Sequence, residues 1–181
     1  AEYRARSIAV IGAGGAREGA LLARGRGCLS PWGVAVGADG AVCVADVFAH
    51  SVVLCREGAE VARVGGYGAG EGQFNQPHYV CAAAGGGWLV SDRCNERVVR
   101  LGANLEWRGV RVAGLRGPTG IAEGPGGEVC VAEYRARSIA VIGAGGARVR
   151  DVPTGLPTGS EGVAVDGAGN ITLSCAGAGR P

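Results

Sequence analysis

Residues 1–17 and 132–148 carry the same 17 letters, AEYRARSIAVIGAGGAR, 131 positions apart. Selection for a fold alone preserves core positions and lets surface positions drift. Here the surface arginines are copied along with the apolar run Ile8-Ala9-Val10-Ile11, which marks a recent internal duplication and a chain built of repeats. Repeats of this length cannot bury their apolar surface alone, so each must pack on its neighbours.

The rest of the chain aligns on the same plan. Four apolar runs share a column: Gly33-Val34-Ala35-Val36, Tyr79-Val80-Cys81-Ala82, Gly120-Ile121-Ala122-Glu123 and Gly162-Val163-Ala164-Val165. Each is followed by a glycine-rich turn and a second run: Val42-Cys43-Val44-Ala45, Trp88-Leu89-Val90-Ser91, Val129-Cys130-Val131-Ala132 and Ile171-Thr172-Leu173-Ser174. An acid closes most of the second runs (Asp46, Asp92, Glu133 and, in the first copy, Glu2), and Cys175 holds that column last. A third run begins at Ser51, Arg97, Ser138 and Ser7, and a weaker fourth run such as Glu60–Val64 leads into the next unit. Tyr79 stands in a column that is otherwise glycine, and Glu123 sits on an otherwise apolar strand.

Each unit therefore reads as four short strands joined by turns that admit positive φ. The runs are apolar nearly throughout rather than alternating, which fits small sheets covered on both faces. A four-stranded antiparallel sheet sandwiched between its own copies is a propeller blade. The expected fold is all-β: a β-propeller segment with a half blade at 1–28, blades at 29–66, 67–114 and 115–152, and a half blade at 153–181. The two half blades are complementary. They either share a sheet and close a ring of four, or the chain is an open arc of a larger ring with sticky strand edges. Because it opens and closes inside a repeat unit, the chain is expected to be a piece of a longer protein.

The second unit also carries a family pattern. Tyr67-Gly68-Ala69-Gly70-Glu71-Gly72-Gln73-Phe74-Asn75-Gln76-Pro77, followed by Ser91-Asp92-Arg93-Cys94-Asn95-Glu96-Arg97-Val98, resembles an NHL repeat. The resemblance is strongest over residues 67–101 and extends as a periodic pattern through the chain. It implies a propeller, usually of six blades. Some NHL propellers attached to ubiquitin-ligase modules bind single-stranded RNA on a basic face, so RNA enters as an alternative partner.

Composition narrows the function. All 18 basic residues are Arg, against 16 acids, and a net charge of +2 does not by itself call for a polyanion partner. No apolar run approaches the ~20 residues that span a bilayer, so no membrane partner is expected. The seven cysteines fall mostly inside apolar runs and form no C-x-x-C pair. They read as buried thiols, which leans the chain towards a reducing, cytoplasmic setting.

Several motifs suggest chemistry. Ile8–Ile11 followed by Gly12-Ala13-Gly14-Gly15 and Arg17–Arg24 imitates a strand, phosphate loop and helix. In the second copy, however, the same glycines lead into Val149-Arg150-Asp151-Val152-Pro153, which is strand-like, so they read as hairpin turns in both places. His50 and His78 are the only histidines and read as exposed loop residues. A metal site like those of propeller lyases of the peptide-amidating type would need more ligands. No catalytic residue, cofactor or metal is expected. The acid column reads as turn capping.

The propeller topology places two sets of loops on one face. The loops entering the first strands bring Trp32, His78, Thr119 and Glu161 around the axis. The turns between second and third strands bring Phe48 and His50; Arg93, Asn95 and Arg97; Tyr134, Arg135 and Arg137; and Tyr3, Arg4 and Arg6 from the first copy. Aromatic and Arg residues in turns are what binding surfaces use. The expected function is recognition of a protein or peptide by this face, without catalysis. Single-stranded RNA and a metal-dependent lyase or lactonase are the alternatives.

Overall fold

The computed structural model describes residues 8–11, 17–21, 28, 30–156 and 158–175. Three four-stranded antiparallel sheets follow one another: β3 (Pro31–Val36) to β6 (Ala59–Gly65), β7 (Pro77–Ala82) to β10 (Trp107–Ala113), and β11 (Pro118–Glu123) to β14 (Arg148–Pro153). The intervening strands are β4 (Val42–Asp46), β5 (Ser51–Arg56), β8 (Trp88–Asp92), β9 (Arg97–Leu101), β12 (Val129–Glu133) and β13 (Ser138–Ile142). A hairpin flanks the series at each end, β1 (Ile8–Ile11) with β2 (Arg17–Leu21), and β15 (Ser160–Val165) with β16 (Ile171–Cys175). No α-helix occurs among the described residues; one 3₁₀ turn covers Arg93–Asn95.

Alternation explains why the runs are continuously apolar. Along β8, Trp88 and Val90 face the seam with the preceding sheet, and Leu89 faces the seam with the next. Along β12, Val129 and Val131 point one way while Cys130 and Ala132 point the other. A strand's side chains alternate between faces, and here both faces are interior. The seam between the first two full sheets holds Cys43, Leu54, Phe74, Trp88 and Leu101. The seam between the second and third holds Leu89, Leu115, Val131 and Ile142. Each fully buried aliphatic side chain stabilises the stack by about 1.5–3 kcal/mol. Cys28, Cys43, Cys55 and Cys130 are buried free thiols that pack as small apolar groups, and burial pushes the Cys28 thiol up to about 12.

The first strands β3, β7, β11 and β15 lie side by side along the axis. Glycine permits this approach: a Cβ on Gly33 would lie 2.5 Å from the Tyr79 Cα, and one on Gly120 would lie 2.5 Å from the Val163 nitrogen.

The strands flanking the duplicated glycines pair antiparallel in both copies. Ile11 pairs with Arg17 after an irregularity at Val10/Ile11, and Ile142 pairs with Arg148 after one at Val141/Ile142. The partner strands have unrelated sequences, yet the two copies pair in the same register at this end. Arg17–Leu21 is a strand, which removes the phosphate-loop reading; Gly12–Ala16 lie outside the described residues.

The closed ring of four is not formed. The two end hairpins are separate two-stranded sheets, and the arc is open. Ile8 packs with Val44, Val53 and Cys55 of the first full sheet, while β15 and β16 pack through Val163, Val165, Ile171 and Leu173 on the outer face of the third. The hairpins thus act as further layers at opposite ends of the stack.

Candidate functional site

In each of the three full sheets, the acid at the end of the second strand pairs with the first residue of the first strand: Pro31 with Asp46, Pro77 with Asp92, and Pro118 with Glu133. These carboxylates are buried and clamp the chain that leads into the sheet. Asp46 accepts the Ser30 N–H (2.8 Å), Asp92 the Asn75 N–H (2.8 Å) and Glu133 the Arg116 N–H (2.8 Å). Cations complete them. Arg97 donates to Asp92 at 2.8 Å, Arg148 to Glu133 at 2.6 Å, and Arg63 lies 3.8 Å from Asp46. The acid column is therefore structural capping, as its position at a turn implied; Glu2 lies outside the described residues.

The ladder is irregular just beyond each clamp. Pairing skips between Pro31 and Gly33, Pro77 and Val80, Pro118 and Ile121, and Ser160 and Gly162. Trp32, His78, Thr119 and Glu161 all fall in these irregular steps. Bulges re-aim side chains and are common beside functional sites. The four residues are thus on strands at the mouth of the axis, not in the loops that precede them.

His78 corrects the expectation of an exposed loop histidine: it is only 3 % exposed. Burial, and then the nearby Arg93 guanidinium, bring its pKa down to about 4. Arg93 Nη1 lies 3.1 Å from His78 Nε2. A guanidinium only donates, so Nε2 accepts and the proton of the neutral ring sits on Nδ1. The Trp32 ring lies 5.0 Å from the His78 ring. Arg93 also lies over the Tyr134 ring at 5.2 Å, and Tyr134 packs on Gly159, where a Cβ would meet its ring at 2.5 Å. Trp32, His78, Arg93 and Tyr134 form one continuous chain of contacts across three sheets. Main-chain bonds hold it: Val47, Arg93 and Tyr134 each follow a clamp acid and donate to Ser30, Gln76 and Gly117 respectively.

Tyr79, noted in sequence for its place in a glycine column but not placed on the binding face, lies beside these residues on β7. Trp32 hydrogen-bonds its phenol, and burial together with the Glu161 carboxylate pushes that phenol up. The signal was present, since Tyr79 interrupts a glycine column. Thr119 is consumed internally, donating to the Ser160 carbonyl at 2.8 Å. Four buried side-chain polar atoms have no partner among the described residues: Ser30 Oγ, His78 Nδ1, Ser160 Oγ and Glu161 Oε2. All belong to the starts of the first strands.

The remaining expected face residues divide. Arg97 is 8 % exposed and lies inside its sheet, with Nη1 on the Ala69 carbonyl (2.6 Å), Nη2 on Gln73 (2.7 Å) and its guanidinium over Trp107 (5.4 Å). Asn95 ties Asp92 (2.7 Å) to the Gly68 carbonyl (2.8 Å). His50 is half-buried and accepts the Gln76 N–H at 3.1 Å. It also occupies, with Glu96 and Arg137, a repeated left-handed turn position (φ 50°, 55° and 53°). Phe48 is 58 % exposed and Trp32 40 %. Tyr67, a further residue the sequence reading passed over, is 72 % exposed and lies 5.2 Å edge-on to His50. Arg135 is exposed and paired with Glu96 at 2.9 Å, and Arg137 is exposed. Tyr3, Arg4 and Arg6 lie outside the described residues. No group of three His, Cys, Asp or Glu side chains placed to hold a metal occurs among the described residues.

Radial antiparallel sheets whose first strands line a common axis define the class: the chain folds as a β-propeller arc. Virginiamycin B lyase from Staphylococcus aureus has the same fold over 96 % of this chain and 57 % of its own, at a TM-score of 0.75 and 12 % identity. A streptogramin B lyase matches at 0.75 and 13 %, over 96 % of this chain and 56 % of its own. The WD40 propeller domain of Doa1 matches at 0.73 and 12 %, over 93 % and 54 %. At such identities the likeness is one of fold, and the chain spans a little over half the length of these structures. No protein-family model matches the sequence, NHL repeats included, and no curated protein matches it.

Proposed function

We propose that this chain is a non-catalytic recognition module of NHL-like propeller type that takes a protein or peptide at the axial mouth. The observation that carries the reading is the gathering, at the starts of the first strands, of the four unpartnered buried polar atoms found among the described residues. Buried polar groups nearly always have partners, and a cluster of exceptions at one end marks that end for function. Exposed aromatics at the same end, Trp32, Phe48 and Tyr67, suit a peptide's apolar side chains. Single-stranded RNA is the less favoured partner, because Arg97 is paired with Asp92 and Arg135 with Glu96. The likeness to lyases is one of fold and supplies no catalytic group.

Selection of the intact protein against a displayed random-peptide library tests the reading. Enriched peptides lose binding to Trp32→Ala and keep it to Asp39→Asn, a change at the opposite end of the sheets. Peptides that bind Trp32→Ala equally well overturn the assignment of the mouth. Affinity for oligouridine falling log-linearly with salt, with no peptide enriched, favours RNA instead.

A further inference from the structure

The outer face of the first full sheet is covered on its far strands and open on its axial strand. Val34, Val80 and Ile121 hold one column of the repeat, on the face turned to the preceding unit. Val80 lies in the seam with Cys43 and Ala35, and Ile121 in the seam with Leu89 and Cys81, all from the first two strands of the sheet before. Val80 and Ile121 are 4 % and 5 % exposed, whereas Val34 is 41 % exposed and Val36, on the same face, 64 %. Their ladder partners Val44 and Val42 share that face, and Val44 is buried under Ile8 of β1. Ile8 meets the first full sheet as Ile139, at the same position of the 17-letter repeat, meets β15 and β16. Hairpin β1–β2 is thus the third and fourth strands of a unit, and no first and second strands stand beside it among the described residues.

The far end is the converse. β15 and β16 are first and second strands, and β16 pairs only with β15 among the described residues. Their face turned away from the third sheet presents Ala164, Thr172 and Ser174, all exposed. Thr172 stands in the column of Cys43 and Leu89, and Ala164 in that of Ala35 and Cys81, the residues that meet Val80 and Ile121 in the two complete seams. The open edge of β16 is the one on which β12, its counterpart, pairs with β13, and β1 repeats the sequence of β13. An unpaired edge is a template for a further strand. The two hairpins sit at opposite ends of the stack and do not meet within one chain.

We propose that the chain associates head-to-tail with a second molecule of itself: β15–β16 of one molecule and β1–β2 of the other complete a single four-stranded sheet, which covers Val34 and Val36. β16 pairs with β1 in the register of β12 with β13, so that Leu173 meets Ala9 as Val131 meets Ala140. The small residues Ala164, Thr172 and Ser174 let the composite sheet approach β3 closely, and no charged side chain is among the residues it brings together. The two molecules use different surfaces, so the contact either closes into a ring or extends.

The test is sedimentation equilibrium and native mass spectrometry of the intact chain under reducing conditions. The expected result is a mass of two molecules or more, with β16 amides that exchange quickly in the dilute chain and slow as concentration rises. Val34→Glu, on the open face, and Thr172→Glu, on the hairpin, each place an unpaired charge in the junction and weaken association by about tenfold or more. Both positions are exposed in the single molecule, so circular dichroism and Tm stay those of the parent. The deciding experiment mixes the two variants. Val34→Glu keeps a sound hairpin and Thr172→Glu a sound face, so together they form a one-to-one pair that grows no further. A parent chain that stays monomeric at submillimolar concentration overturns the proposal, whatever else covers the face in a longer chain. So does a mixture that remains monomeric, or association lost with Val34→Glu and untouched by Thr172→Glu, which would mark the valine face as meeting itself.

Discussion

The clamp acids and the axial bulges lie one residue apart across the same ladder, yet they are opposite environments. Asp92 has three donors within 2.8 Å, from Asn75, Asn95 and Arg97. His78, next to the residue paired with Asp92, keeps an unpartnered Nδ1–H, and Glu161 at the matching step of the last hairpin keeps an unpartnered oxygen. The repeat thus assigns fold maintenance to one column and leaves the adjacent column free to vary: Trp, His, Thr and Glu occupy it in turn. Where the clamp is missing, at Cys175, the paired Ser160 also has an unpartnered hydroxyl.

Substitutions can break this comparison. The largest effect is expected from Asp92→Ala, which strands a main-chain N–H and a buried guanidinium. A loss of about 3–5 kcal/mol is expected for removing one partner of a buried pair, measured by urea unfolding; a loss below about 1 kcal/mol would show that the clamp is dispensable.

Next is the pH dependence from His78. Its folded pKa of about 4 lies below the unfolded value of 6.5. The unfolded chain therefore binds more protons between these limits, so the neutral ring's contribution is complete above pH 6.5 and is lost as pH falls to 4. The loss reaches about 3 kcal/mol. His78→Gln flattens the stability profile over that window, and an unchanged slope in that variant would assign the loss to other groups.

A smaller effect, roughly 1–2 kcal/mol, is expected for Asp46→Asn, whose arginine lies 3.8 Å away rather than in direct contact. Equal losses for Asp46 and Asp92 would remove the distinction between the clamps. The smallest belongs to Arg135→Ala. Its pair with Glu96 is exposed, and a change within about 0.5 kcal/mol is expected by thermal melting.

How much of this the sequence disclosed depended on whether the deciding interaction was local. The sheets were legible because each strand's apolar run, turn and closing acid lie within a short stretch and recur. The role of Asp46, Asp92 and Glu133 followed from their place at a turn. The burial of His78 was not legible, because the irregular pairing at Pro77–Val80 draws into the strand a residue that reads as loop. Arg97 looked like a surface cation because its partners, the carbonyls of Ala69 and Gln73, are more than twenty residues away. The openness of the arc was hidden for a similar reason: periodicity fixes what a blade contains, while the angle between blades fixes how many complete a ring.

Because alternate residues of a strand serve opposite seams, each sheet is held by its two neighbours and by little else. Opening then proceeds as in a stack of coins, from the outside inward. Amides of β8 and β9, in the central full sheet, should exchange with deuterium most slowly, and those of β15 and β16, covered on a single side, should exchange among the first.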